Sequence, residues 1–229
     1  NVENFWDQDP DNTSKFWHKF LAEHADQGLE LERPLQYTDY SRENSNWYAP
    51  EIAHAKIDSV LTAIKLAGAP DIFALQEFES AGNESQVFDT FYSASETFKD
   101  KLKEIGYHYF YIGNQSKPVS VTPAIISKVE LTQLPSVQIN FSKFSTSARD
   151  IQVAEWKLNS ERVILFNGHW KSKLGNDSDG LRIQIAEAVR ARITKEKRTD
   201  PNTHVIVLGD LNSAYWEAPL AALGTTGDE

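Results

Sequence analysis

Three apolar runs in this sequence end in residues that handle phosphate or a hard cation. Ile72-Phe73-Ala74-Leu75 leads into Gln76-Glu77. Val163-Ile164-Leu165-Phe166 leads into Asn167-Gly168-His169. Val205-Ile206-Val207-Leu208 leads into Gly209-Asp210-Leu211-Asn212. A fourth candidate, Asn1-Val2-Glu3, opens the chain. An apolar strand is a rigid support, and polar residues at several strand ends can converge in one crevice. Glu, Asp, Asn and His bring hard oxygen and imidazole donors, a set suited to one Mg²⁺-type ion beside a phosphate. Each piece alone has a plainer meaning. Gly-Asp-Leu-Asn is also a turn composition, and a lone His after a strand is more often structural. Lys171 and Lys173 follow His169 in a polar stretch. They give local positive charge where an anionic substrate would approach, or a solvated loop face.

The elements that position these groups follow from periodicity. Residues 50–66 repeat Ile52, Ala53, Ile57, Val60, Leu61 and Ile64 at helical spacing, with Pro50 in the first turn and Gly68 and Pro70 as stops. Residues 71–76 form a short buried strand ending at Glu77. A second helix is expected over 88–105 and strands over 107–112, 119–126, 137–141 and 151–158. Residues 162–167 read as a buried strand and 169–180 as a polar loop. Residues 181–194 read as a helix, 195–202 as a charged turn and 204–208 as another buried strand. A short helix is expected near 217–223. The stretch 1–47 is polar and aromatic-rich: a strand-like fragment at 1–5, then a decorated loop with a weak helix signal around 15–31. Strands alternate with helices in places and follow one another in others, which gives α/β with a mixed sheet.

Length and composition bound the rest. The 229 residues favour one large domain, and 40% hydrophobic with six Trp suffices for a sizeable core. The tryptophans are expected in the core or packed under loops. Trp170 has a second reading, stacking on a base beside His169. No run approaches 18 apolar residues, which excludes a membrane span of that kind. A net charge of −10 rules out holding nucleic acid by bulk charge, so a phosphate substrate needs local cations or a metal. Absence of Cys excludes disulfides, thiolate sites and Cys nucleophiles. Absence of Met, with Asn at position 1, points to a processed, trimmed or partly observed chain.

Taken in order, the four segments resemble the endonuclease/exonuclease/phosphatase superfamily of metal-dependent phosphoesterases. Asn1-Val2-Glu3-Asn4-Phe5 is similar to its opening strand motif, and Leu75-Gln76-Glu77 to its Leu-Gln-Glu metal-ligand motif. Gly168-His169-Trp170-Lys171-Ser172 is similar to its central His motif. Gly209-Asp210-Leu211-Asn212-Ser213 is similar to its Gly-Asp-Phe-Asn motif, with Leu for Phe. The resemblance spans essentially the whole chain. The opening segment and His-Trp-Lys-Ser-Lys resemble a bacterial, often exported, nuclease-like branch, which implies an extracellular or periplasmic location.

The resemblance implies a DNase I-like fold: a four-layer α/β sandwich of two packed mixed sheets flanked by helices, one domain over 1–229. The family's late Ser-Asp-His motif has no counterpart after Asn212, so the expectation is a chain incomplete at both ends and lacking its C-terminal strands. The implied cofactor is Mg²⁺, with Mn²⁺ or Ca²⁺ as alternatives. Glu77 would be the main metal ligand, Glu3 a second carboxylate, and Asn1 would orient phosphate or ligand. Asp210 would orient or deprotonate the attacking water, while Asn212 and His169 donate to phosphate oxygens. Arg149 would contact the phosphate; its plainer reading is a surface salt bridge with Asp150 or another acid. Lys171 and Lys173 would help bind substrate. The expected activity is metal-dependent phosphodiester hydrolysis, acting as a nuclease on DNA or RNA, with no obligate protein partner. The alternatives are a phosphatase or phosphodiesterase of the same superfamily acting on a small or lipid phosphoester, and a non-catalytic binding module on this scaffold.

Overall fold

A computed structural model describes residues 50–79, 94–116, 121–139, 148–173 and 178–224. The expectations for 1–49, including Asn1 and Glu3, and for 88–93 lie outside the described residues. The elements in chain order are α1 (Pro50–Leu66), β1 (Ile72–Glu79), α2 (Ala94–Glu104), β2 (Tyr109–Ile112), β3 (Val121–Ser127) and β4 (Thr132–Val137). Then come β5 (Ile151–Leu158), β6 (Glu161–His169), α3 (Ser178–Thr199), β7 (His204–Asp210) and α4 (Ala218–Leu223).

Two sheets result. One has the order β1-β3-β2 and is antiparallel throughout; the other has the order β4-β5-β6-β7, with only β6 and β7 parallel. The side-chain alternation of a strand stacks these into four layers. On β3, Ala124 and Ile126 face Ile57, Leu61 and Ile64 of α1 and Phe98 and Leu102 of α2. The intervening Ile125 faces the other way, toward Ala154, Val163 and Leu165 of the second sheet. On β6, Ile164 and Phe166 in turn meet Leu181, Ile185, Ala186 and Val189 of α3 and Leu223 of α4. The order is helices, sheet, sheet, helices, the DNase I-like arrangement. Phe98 and Phe166 are fully buried, and each such side chain contributes about 1.5–3 kcal/mol by leaving water. Among the described residues, no helix is long and apolar enough to cross a membrane.

Local chemistry sets the connections. β5 and β6 join through Asn159-Ser160, with φ of 49° and 78°. Both central residues are left-handed, as a two-residue hairpin turn matched to strand twist requires. The parallel pair β6–β7 needs a crossover, which α3 supplies.

Several boundaries differ from those expected. Of the strand expected over 137–141, residues 140 and 141 lie outside the described residues; the described strand here is β4, Thr132–Val137, whose register against β5 shifts between Leu134 and Val137. It is an edge strand, where Pro135 is tolerated because no neighbour needs its missing N–H. The expected charged turn 195–202 is mostly helix, since α3 continues to Thr199. Lys, Glu and Arg are good helix formers, and Glu196 accepts from Arg192 one turn back at 2.6 Å. β6 runs through His169 and β7 through Asp210, so both groups stand on strands rather than in the loops beyond them.

Candidate active site

The layer between the two sheets changes character along its length. The inward positions of β6 run Val163, Leu165, Asn167, His169. The first two pack in the apolar inter-sheet cluster, and Asn167 is completely buried. Asn167 accepts from Gln76 Nε2 at 2.5 Å across the sheets. Its own Nδ2 donates to the Ala124 carbonyl and to Gln152 Oε1, both at 3.1 Å. Gln152 Nε2 donates in turn to the Tyr111 carbonyl at 2.6 Å. This carboxamide ladder ties β1, β2, β3, β5 and β6 together immediately below the site.

Above it, three groups converge. The parallel register sets His169 beside Asp210 and Gly168 beside Gly209. Gly209 has φ of 124°, and a Cβ there would lie 2.0 Å from the Gly168 carbonyl oxygen. Only glycine lets the two backbones approach this closely. Glu77 arrives from the other sheet through a backbone irregularity. The β1 register shifts between Leu75 and Phe78, and Glu77 itself has φ of 60°. A regular strand would send residue 77 to the same face as Leu75, under the helices. The bulge turns it away and returns Phe78 to the core. Glu77 Oε1 lies 3.8 Å and Asp210 Oδ2 3.9 Å from His169 Nε2. Both separations exceed hydrogen-bond reach, so the three side chains face one shared space. A cleft of about 540 Å³ opens beside Asp210, lined by Ala74, Gln76, Leu208, Gly209 and Asp210.

The loop after β7 is fixed by its own chemistry. Asn212 has φ of 49°, a conformation Asn tolerates, and its backbone N–H donates to Asp210 Oδ1 at 3.1 Å. Its Nδ2 donates to the Trp170 carbonyl at 3.1 Å, while the Trp170 N–H donates to the Asp210 carbonyl at 2.8 Å. An amide NH₂ has two hydrogens, so Asn212 keeps one donor beyond that bond.

Burial, reinforced by the Arg149 cation, lowers the His169 pKa from its ordinary 6.5; Glu77 and Asp210 pull it back in part. The imidazole is therefore neutral at pH 7. Its Nδ1 is buried with no hydrogen-bond partner among the described residues. Arg149, half-buried, thus acts electrostatically on the same space. Asp150 is buried, and its carboxylate accepts the backbone N–H groups of Ser116 and Ile139 at 2.6 and 2.7 Å.

The structure thus brings together Glu77, His169, Asp210, Asn212 and Arg149. Lys171 is half-buried, and its carbonyl accepts from the buried Arg182 at 3.0 Å. Lys173 is exposed and pairs with Glu217 at 2.5 Å. Trp170 is packed at 1% exposure, which removes it as a stacking surface. Trp216 breaks the core expectation in the opposite sense, at 72% exposure. Sequence reasoning placed Gln76 and Asn167 among the polar strand ends without seeing that they pair across the sheets, and it missed Gln152. Their signal is a polar residue at an inward strand position, legible only once both sheets are known.

The family model described as Endonuclease/Exonuclease/phosphatase family matches residues 36–223. No functionally curated protein matches the chain at a significant level. Among solved structures, a humanized D. rerio TDP2 aligns with a TM-score of 0.51 at 18% identity, over 76% of this chain and 65% of that one. The human Nocturnin catalytic domain gives 0.50 at 18%, over 74% and 62%. Sphingomyelinase C from Streptomyces griseocarneus gives 0.51 at 15%, over 73% and 60%. The chain spans less than two thirds of each of these, and at such identities the likeness is one of fold. With the family model matched over most of its length, the chain belongs to the Endonuclease/Exonuclease/phosphatase family, whose fold is that of phosphoester hydrolases.

Proposed function

We propose that this chain is a metal-dependent phosphodiester hydrolase that cuts DNA or RNA by in-line attack of water. The observation that carries this reading is the approach of Glu77 and Asp210, from strands of two different sheets, to within 3.8 and 3.9 Å of His169 on a third strand. The donor set fits a hard divalent cation. Among the described residues no group of three or more His, Cys, Asp or Glu side chains is arranged as a metal cage. Mg²⁺ binds through one or two carboxylates and keeps several waters. Glu77 would hold it, with Glu3 and Asn1 completing the set. When bound, the ion offsets phosphate charge and the charge growing on the leaving oxygen.

The remaining steps belong to the chain. Asp210 Oδ2 takes the proton of the attacking water as the new P–O bond forms and the P–O bond opposite it breaks; the departing sugar oxygen takes its proton from solvent. His169 and the remaining Asn212 donor give N–H bonds to non-bridging oxygens, where negative charge builds. Arg149 adds a local cation in a chain of net charge −10. The finer assignment to an exported bacterial nuclease branch rests on the likeness of the Asn1–Phe5 and His169–Lys173 segments.

The test is nicking of supercoiled plasmid with Mg²⁺ and with chelator, beside His169→Ala. Cleavage that needs metal and is lost in the variant is the expected result. Cleavage indifferent to both overturns the site. Turnover of a lipid or small phosphoester with none of plasmid or RNA moves the substrate to the phosphatase or phosphodiesterase class.

A further inference from the structure

The two exposed large aromatic side chains among the described residues, Tyr215 and Trp216, are adjacent, 78% and 72% exposed, and follow the active-site loop directly. Their rings meet edge to face, with centroids 4.7 Å apart and planes at 84°. Leaving two such rings in water forfeits the burial free energy that places most aromatics inside. Nor are they on a loose tip. Glu217 Oε2 accepts the Ala214 N–H at 3.0 Å, and the Glu217 N–H donates to the Ala214 carbonyl at 2.9 Å, closing the turn that carries them. Glu217 Oε1 accepts from Lys173 at 2.5 Å, tying this turn to the strand-end loop after His169. Tyr215 and Trp216 are three and four residues beyond Asn212, so their Cα atoms lie within about 11 and about 14 Å of its own even at full stretch. That is the reach of the nucleotides flanking a phosphate held at Asn212.

We propose that Tyr215 and Trp216 form a stacking platform for an unpaired base of single-stranded nucleic acid beside the phosphate to be cut. The proposal rests on the hydrolase reading above and deepens it. Each perpendicular ring offers one face, and a base stacks on such a face whatever its sequence. Duplex is disfavoured twice. Its bases leave the stack only at a cost of a few kcal/mol, and its dense backbone charge meets a chain of net charge −10. Stacking supplies affinity that charge cannot. A lipid surface fits less well, because the same turn carries the charged Glu217–Lys173 pair beside the rings.

The experiment is fluorescence-anisotropy binding of a labelled single-stranded oligonucleotide in chelator, with a second strand carrying abasic sites and a duplex as comparisons. Tyr215→Ala and Trp216→Ala are each expected to bind the normal strand about tenfold more weakly, and Trp216→Phe nearly as well as wild type. On the abasic strand, wild type falls to the level of the variants, which lose nothing more. Equal losses on normal and abasic strands, or no loss at all, overturn the proposal. So does a loss seen only with phosphatidylcholine–sphingomyelin vesicles. Plasmid and oligonucleotide cleavage separate the two readings. Metal-dependent cleavage lost in Glu77→Ala but intact binding in the aromatic variants sinks the platform and keeps the hydrolase. Ring-dependent binding without any cleavage does the reverse.

Discussion

The layer between the two sheets has an apolar end and a polar end, built on the same faces of the same strands. At one end Ile125, Leu131, Ala154, Val163 and Leu165 pack side chain to side chain. A few residues further along, the same inward positions carry Gln76, Gln152, Asn167, His169 and Asp210. The apolar end holds the sheets together without direction, since burial depends on area. The polar end holds them at fixed distances, since a hydrogen bond depends on length and angle. The molecule thus separates adhesion from positioning along one strand, and the two ends should fail differently.

The largest effect is expected at the polar tip. Glu77→Ala or Asp210→Ala should cut turnover by about 10³-fold, equivalent to about 4 kcal/mol of barrier, with an unchanged melting temperature. A matched drop in melting temperature would show that the bulge at Glu77 holds the fold rather than the chemistry. Next is the apolar end. Leu165→Ala should cost about 3 kcal/mol in denaturant unfolding, with kcat per folded molecule preserved well below the melting range. Third is the junction between the ends. Asn167→Ala strands buried partners on Gln76 and Gln152 and should cost about 2 kcal/mol. Alone among these variants, it should lower both stability and kcat. If it lowers stability only, the ladder does not position the site.

The smallest effect is a control away from the cleft. Burial raises the Glu196 carboxyl, but hydrogen bonds from Arg192 and Arg162 outweigh it and hold the group below its ordinary 4.5. The stability this gives is complete above the unfolded carboxylate range and is lost as pH falls through the lowered value. Glu196→Gln should therefore flatten the acid side of the stability–pH curve without changing kcat at neutral pH. A curve identical to wild type would remove this network from the account.

How much of this is legible in the sequence depends on whether a feature is local. The strands bearing Glu77, His169 and Asp210 announce themselves, because buried strands are unbroken apolar runs and the polar residue after each is conspicuous. The four-layer order was legible only through the family resemblance. β4 was misplaced because Pro135 and Gln133 dilute its apolar signal, which an edge strand permits. The end of α3 was misplaced because its charges look like a turn until Glu196 finds Arg162 across the fold at 2.9 Å. The pairing of Gln76, Asn167 and Gln152 across the sheets and the exposure of Trp216 had no local signature, since composition counts a residue without saying what it faces.

The tight Asn159-Ser160 turn and the Gln76–Asn167 bond, which joins residues 91 apart in sequence, set a timetable for folding. The β5–β6 hairpin closes a loop of two residues and can form within about 1–10 μs. Glu77 reaches His169 only after most of the intervening chain is in place, and long closures come late. Partly folded chains therefore carry every one of these side chains while holding none of them at working distance. On refolding from denaturant, strand signal should return first and cleavage last.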